Sequence, residues 1–300
     1  MAWTHGVMAP AYAKINLTLE VLARRADGFH ELVSVMHTIE LHDTLALWPA
    51  PAGTFTLACD DATLAGDENL ALRAARLLAE AMDPPPASGV AIELQKAIPT
   101  QAGLGGGSSD AAHALAALRR LWDARLSNEA LDLLAARLGS DVPFFGVGGA
   151  ALVRGRGERV AGLPDTAPLW LVLLKPPVAV STAAAFAALT PADFADGSAS
   201  EVVAQALLDG QPLPLDRLAN SFEASVRRDY REVAHAWEAF HAAGAPVVRL
   251  SGSGPTLYAP FTELLAAAEV WRRLRAEGHQ VWLTHTLSRG GVASRFRVPA

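Results

Sequence analysis

Four glycines within five residues constrain this chain more than any other segment. They lie in the stretch Pro99, Thr100, Gln101, Ala102, Gly103, Leu104, Gly105, Gly106, Gly107, Ser108 and Ser109, and an Ala/Leu-rich run at 111–121 follows. Only glycine lets several backbone N–H groups crowd around one anion with no Cβ in the way. A helix that starts there adds unpaired N–H groups and a positive dipole end. Residues 90–95, before the loop, alternate apolar and polar side chains, as a half-buried strand does. Strand, glycine loop and helix together read as a phosphate cradle rather than as a Gly/Ser linker.

The loop fits neither of two common nucleotide motifs. A Walker A loop requires lysine after its last glycine, where Ser108 stands. A dinucleotide fingerprint would place its third glycine on Ser108 as well. A different phosphate-binding geometry is expected.

The 300 residues are 51% hydrophobic, enough for one large domain or two ordinary ones. Net charge is −6 and no Lys/Arg run occurs, which disfavours nucleic acid and anionic membrane surfaces as partners. A small-molecule substrate held by local groups is expected. No apolar run reaches the roughly 18 residues of a membrane span. Residues 1–10 lack the apolar stretch of a signal peptide, and the single Cys59 excludes an internal disulfide. A cytoplasmic location is the expectation. Met8 is an alternative start that would leave residues 1–7 as a tail. Monomer and homodimer both stay open.

Residues 11–22 alternate strictly and predict a strand with one dry face and one polar face, the latter carrying Tyr12, Lys14, Asn16, Thr18 and Glu20. Asp27-Gly28 signals a hairpin turn into a second strand at 32–47. Helices are predicted over 68–82, 111–121 and 128–138, with Gly139 as the C-cap of the last. A strand at 150–154 and a turn at 155–157 follow. The Pro-containing stretch at about 160–168 marks a domain boundary, giving residues 1–165 and 166–300. The second half predicts strands at 169–174, 247–250, 256–259 and 281–284, with helices at 182–189, 221–242 and 263–277. This is an α+β pattern with an antiparallel sheet.

A few polar residues stand out. Lys14 and Asn16 share one strand face, either as a solvated edge or as a fixed ammonium beside a reacting group. Asp141 follows a helix and precedes Val142, Phe144 and Phe145. It is either a turn aspartate or a base that these apolar neighbours desolvate and strengthen. Phe29 and His30 sit at the hairpin tip, as a surface turn or as a base-stacking and base-bonding pair. The Ser-Gly-Ser-Gly turn at 251–254 is a tight hairpin or a second wall for a nucleotide site. The other histidines lack metal-ligand spacing, so no protein-only metal site is expected.

Residues 99–112, 138–145 and 250–254 resemble the three motifs of the GHMP kinase superfamily. Residues 13–17, 25–32 and 103–112 resemble, more narrowly, its branch acting on 4-diphosphocytidyl-2-C-methyl-D-erythritol. The resemblance implies a two-domain α+β fold, an N-terminal domain like ribosomal protein S5 domain 2 and a ferredoxin-like C-terminal domain, with the active site in the cleft between them. It implies that Asp141 takes the proton of the substrate's 2-hydroxyl and that Lys14 orients this pair. Residues 99–109 would wrap the phosphates of ATP, which carries Mg²⁺, with Asn69 and Lys96 as further nucleotide contacts. Asn16, Phe29, His30, Thr182 and Phe186 would hold the cytidine diphosphate end, the base lying between Phe29 and Phe186. Phe29 stands where tyrosine is common in that branch, so stacking is kept and a hydroxyl contact is lost. The implied reaction is ATP-dependent phosphorylation in non-mevalonate isoprenoid precursor synthesis. The alternative is another GHMP small-molecule kinase of homoserine or mevalonate type, in which the Phe29-His30 hairpin has no base to grip.

Overall fold

The alternating segment at 11–22 forms the centre of a long antiparallel hairpin. In the computed structural model, which describes residues 6–165 and 167–293, its arms are β1 (Val7–Arg24) and β2 (His30–Ala50). Gly28, at φ +86°, makes the turn, which the Arg25 N–H closes onto the Phe29 carbonyl at 2.8 Å. Val7 already pairs with Leu47 and is buried, so the last residue of the expected tail belongs to the sheet; residues 1–5 lie outside the described residues.

Chain order continues with β3 (Phe55–Cys59), α1 (Leu70–Ala81), β4 (Gly89–Gln95), α2 (Gly106–Leu121) and α3 (Asn128–Leu138). Next come α4 (Val142–Val147), β5 (Ala150–Gly155), β6 (Arg159–Gly162), β7 (Trp170–Leu174), α5 (Thr182–Ala188) and α6 (Ser198–Leu208). The remainder is β8 (Ala219–Asn220), α7 (Glu223–Asp229), α8 (Arg231–Ala242), β9 (Arg249–Leu250), β10 (Leu257–Phe261), α9 (Leu264–Ala276), β11 (Val281–His285) and α10 (Arg289–Ala293).

Among the described residues, one sheet runs β3-β4-β2-β1-β8, with β5 on β2 and β6 on β5. The other runs β11-β7-β10-β9 and is antiparallel throughout, as the sequence predicts. Each predicted helix has an observed counterpart, and three side chains cap helix starts. Asn69, Ser127 and Ser181 accept from the N–H groups of Ala71, Ala130 and Ala184.

Three expectations need correction. The predicted helix at 221–242 is two helices, because Tyr230 adopts an extended backbone (φ −124°, ψ 102°). The break lets Val226 on α7 and Val233, Trp237 and Phe240 on α8 all reach the core. The polar face of β1 is not solvated: Tyr12, Lys14, Asn16, Thr18 and Glu20 are all buried. The C-terminal half covers it, with β8 parallel to β1, Ser200 on the Thr18 hydroxyl at 2.8 Å, and the Tyr258 hydroxyl donating to the Asn16 carbonyl at 2.8 Å. The third concerns Asp141. Val142, Phe144 and Phe145 turn into the core as α4 while the Asp141 side chain stays 42% exposed, so they do not desolvate it. Truncating a fully buried aromatic such as Phe144 costs about 3–5 kcal/mol, so α4 is a firm platform under Asp141.

Candidate active site

One cleft of about 1450 Å³ gathers most of the sequence-predicted site residues. The glycine loop forms one wall. Gly105 (φ +73°) is the N-cap of α2, and with no side chain to cap it leaves the first-turn N–H groups of Gly106, Gly107 and Ser108 without a side-chain acceptor. Pro99, Thr100, Gln101, Ala102 and Gly103 line the same wall. Leu104 and Ser109 do not: Leu104 is buried, and the Ser109 hydroxyl donates to the Tyr12 carbonyl at 2.6 Å beneath the loop.

The loop is pinned from below. Lys14 N–H donates to the Leu104 carbonyl at 3.0 Å, and both Ala97 and Ile98 N–H groups donate to Asp43 Oδ1. Lys96 Nζ lies between two buried carboxylates, 2.5 Å from Asp43 Oδ2 and 2.8 Å from Asp110 Oδ2. Burial lowers its basicity but Asp110 and Asp43 prevail and push it up. Burial, set against Lys96 and reinforced by Asp43, pushes the Asp110 carboxyl up to about 7. Asn69 lines the cleft with its amide already engaged, capping α1 through Oδ1 and donating to the Leu64 carbonyl through Nδ2.

Lys14 stands at the floor, 3% exposed. Its Nζ donates to Asn16 Oδ1 at 2.7 Å and to the Gly103 carbonyl at 2.9 Å, and lies 3.7 Å from Asp141 Oδ2. Burial lowers its pKa, with Asp141 opposing. The lysine is thus a fixed, partly desolvated charge whose open side faces an accessible carboxylate.

At the far end, Phe29 is 50% exposed and the Arg156 guanidinium lies over its ring at 4.6 Å from the centroid. His30 stacks on Phe186 with centroids 5.0 Å apart, and Phe186 meets Phe222 edge-on at 4.8 Å. Burial and Arg24 hold His30 below the ordinary histidine range. The Thr182 hydroxyl meets that of Ser253 at 3.0 Å. The stacked pair is therefore His30 with Phe186, and Phe29 pairs with Arg156.

Sequence reasoning missed Arg156, Asp43 and Asp110. Arg156 had a signal of sorts, a cation between two turn glycines, but nothing in the chain linked it to Phe29. The 251–254 turn joins the site: Ser251 Oγ donates to the Gly103 carbonyl at 3.0 Å, and the Gly252 N–H donates to Asn16 Oδ1 at 2.9 Å.

Family comparisons fit this arrangement. Residues 69–149 match the GHMP kinases N-terminal domain and residues 203–280 the GHMP kinases C-terminal domain. A 4-diphosphocytidyl-2-C-methyl-D-erythritol kinase of Pelotomaculum thermopropionicum is 44% identical over 284 residues, covering 94% of this chain and 98% of the relative. The chain belongs to the 4-diphosphocytidyl-2-C-methyl-D-erythritol kinase family of GHMP kinases. A second member, from Symbiobacterium thermophilum, is 42% identical over 92% of this chain and 98% of its own. The crystal structure of a 4-(cytidine 5'-diphospho)-2C-methyl-D-erythritol kinase superposes with a TM-score of 0.79 at 37% identity, covering 93% of this chain and 98% of that one. Homoserine kinase from Cytophaga hutchinsonii shares the fold at TM-score 0.72 and 18% identity, over 100% and 98% of the two chains. The two-domain GHMP kinase fold is the one expected. Among the described residues no helix is long and apolar enough to cross a membrane.

Proposed function

We propose that this protein transfers the γ-phosphate of ATP to the 2-hydroxyl of 4-diphosphocytidyl-2-C-methyl-D-erythritol, a step of the non-mevalonate route to isoprenoid precursors. The Lys14–Asp141 pair at the mouth of a glycine-rich cradle carries the reading. Phosphoryl transfer demands positioning and charge stabilisation more than covalent chemistry. Within the 99–108 loop, the open first-turn N–H groups of Gly106, Gly107 and Ser108 would receive the ATP phosphates, with Pro99, Thr100, Gln101, Ala102 and Gly103 walling the nucleotide, Leu104 packing the loop from below, and Asn69 and Lys96 as nearby contacts. Ser109 would act from beneath, by holding the loop to β1 through Tyr12.

Asp141 would accept the proton of the attacking hydroxyl. Lys14 would hold Asp141 and the developing alkoxide at one place, its own position fixed by Asn16 and Gly103. The cytidine end would lie among Asn16, Phe29, His30, Thr182 and Phe186. Its base would take over the ring faces that Arg156 and His30 now cover. Mg²⁺ would enter on the nucleotide, held by phosphate oxygens and water, and supply charge neutralisation. Among the described residues no three His, Cys, Asp or Glu side chains are grouped to hold a metal. A cytoplasmic setting suits such a substrate.

An ADP-release assay with the cytidine-linked substrate, homoserine and mevalonate in parallel tests the reading. Turnover of the first alone is expected. Turnover of either of the others without the first would overturn it.

A further inference from the structure

The 251–254 turn touches Lys14's surroundings at two points, and two side chains outside the cleft fix where it lies. Gly252 N–H donates to Asn16 Oδ1, and Ser251 Oγ donates to the Gly103 carbonyl, so both of Lys14's hydrogen-bond acceptors are shared with this turn. The approach is close. Gly252 adopts φ +59°, and a Cβ there would lie 3.0 Å from the Gly103 carbonyl oxygen and 3.3 Å from Lys14 Nζ. A Cβ on Gly103 would collide with the Ser251 carbonyl oxygen.

Asn220 and Glu223 grip the start of that turn. Asn220, at the end of β8, is tied to the strand that carries Lys14, opposite Leu19 in parallel register. Its Nδ2 donates to the Leu250 carbonyl at 2.9 Å and the Gly252 carbonyl at 2.8 Å, while Oδ1 accepts from Phe222 N–H at 2.9 Å. Glu223 Oε1 accepts the Leu250 N–H at 3.0 Å. Both backbone polar groups of Leu250 and the carbonyl of Gly252 are therefore held by these two side chains.

We infer that Asn220 and Glu223 are positioning residues for phosphoryl transfer, setting Lys14 through the 251–254 turn. The inference rests on the kinase reading for its catalytic consequence. Its structural half, control of the turn, does not. A misplacement of about 1 Å at a reacting centre costs on the order of 100-fold in rate. Neither side chain lines the cleft, so the loss belongs in kcat rather than in KM for ATP.

The decisive variants preserve shape. Asn220→Asp keeps the acceptor for Phe222 N–H and removes the two Nδ2 donors. Glu223→Gln keeps the acceptor for Leu250 N–H, and Glu223→Leu removes it. Hydrogen exchange of peptides spanning 250–256, read without substrate, is measured beside steady-state kinetics. Asn220→Asp and Glu223→Leu are expected to lose protection in the turn and about 10- to 100-fold in kcat, with KM for ATP unchanged. Glu223→Gln is expected to retain both. Wild-type protection and kcat in folded Asn220→Asp, or equal losses in Glu223→Gln and Glu223→Leu, would overturn the inference. If Asn220→Asp does not fold, the Glu223 pair decides. If the wild type does not turn over the substrate, the exchange data decide the structural half alone.

Discussion

The Lys14 ammonium and the Asp141 carboxylate meet 3.7 Å apart with opposite exposures, 3% for the lysine and 42% for the aspartate. This asymmetry divides the labour: the lysine is a fixed charge, and the aspartate is reachable by a substrate hydroxyl. Lys14→Met keeps length and removes the charge, leaving Asn16 Oδ1 and the Gly103 carbonyl without the ammonium. We expect kcat to fall by about 10²–10³-fold, the scale of losing one oriented charge donor. Lys14→Arg is not expected to rescue it, because Gly105 and Gly252 crowd the side chain. Wild-type kcat in Lys14→Met would remove Lys14 from the reaction, and wild-type kcat in Lys14→Arg would show that any cation at this position suffices.

The cradle glycines differ in what they demand. Gly103 adopts φ +74° with the Ser251 carbonyl oxygen where a Cβ would go. Gly107 lies in the first turn of α2 with only Leu70 at 3.6 Å from such a Cβ. Gly103→Ala should destabilise by about 1–3 kcal/mol or more from backbone strain alone, whereas Gly107→Ala should fold normally. Thermal unfolding of both variants checks this. An unchanged Tm for Gly103→Ala would show that the loop relaxes away from residue 251.

Glycine chemistry is local, and so the cradle could be read directly from residues 99–109. The hairpin tip was legible for the same reason, since Asp27-Gly28 specifies its own turn. Lys14's surroundings were legible only in part. Alternation puts Asn16 on its face and the resemblance implies Asp141, but the Gly103 carbonyl and the cover over β1 from Ser200, Gly252 and Tyr258 come from distant segments. Alternation along β1 reports that its two faces differ, not that a second half of the chain buries the polar one. The Asp43–Lys96–Asp110 cluster was hidden because each member is an unremarkable single charge in sequence. Helix α4 was hidden because six residues carry no helical period, and the break at Tyr230 because both flanking helices have continuous apolar patterns.

That cluster gives a pH prediction. Asp110 is raised from the ordinary carboxylate range to about 7, so the unfolded chain loses this proton earlier than the native state does. The associated stability is present near pH 4 and is lost as pH rises toward 7. Asp110→Asn removes this slope, so the Tm difference between variant and wild type should shift in the variant's favour across that window. A constant difference from pH 4 to pH 7 would contradict the raised value.

Phe29 is half exposed and carries Arg156 on its face, so its truncation should cost little stability. Stacking a base on an aromatic ring is worth about 1–3 kcal/mol, which corresponds to roughly 5- to 150-fold in affinity. Phe29→Ala should raise KM for the cytidine-linked substrate on that scale while KM for ATP and Tm stay put. An unchanged KM would place the base elsewhere.

The most direct measurement is single-turnover phosphoryl transfer from ATP to 4-diphosphocytidyl-2-C-methyl-D-erythritol by wild type and Asp141→Asn, with ³¹P NMR of the product. General-base catalysis contributes about 10²–10⁴-fold. The expected result is a phosphate on the 2-hydroxyl with the wild type, and a loss of that order in Asp141→Asn with ATP still bound. Phosphate on another hydroxyl, or undiminished transfer by Asp141→Asn, would contradict the account.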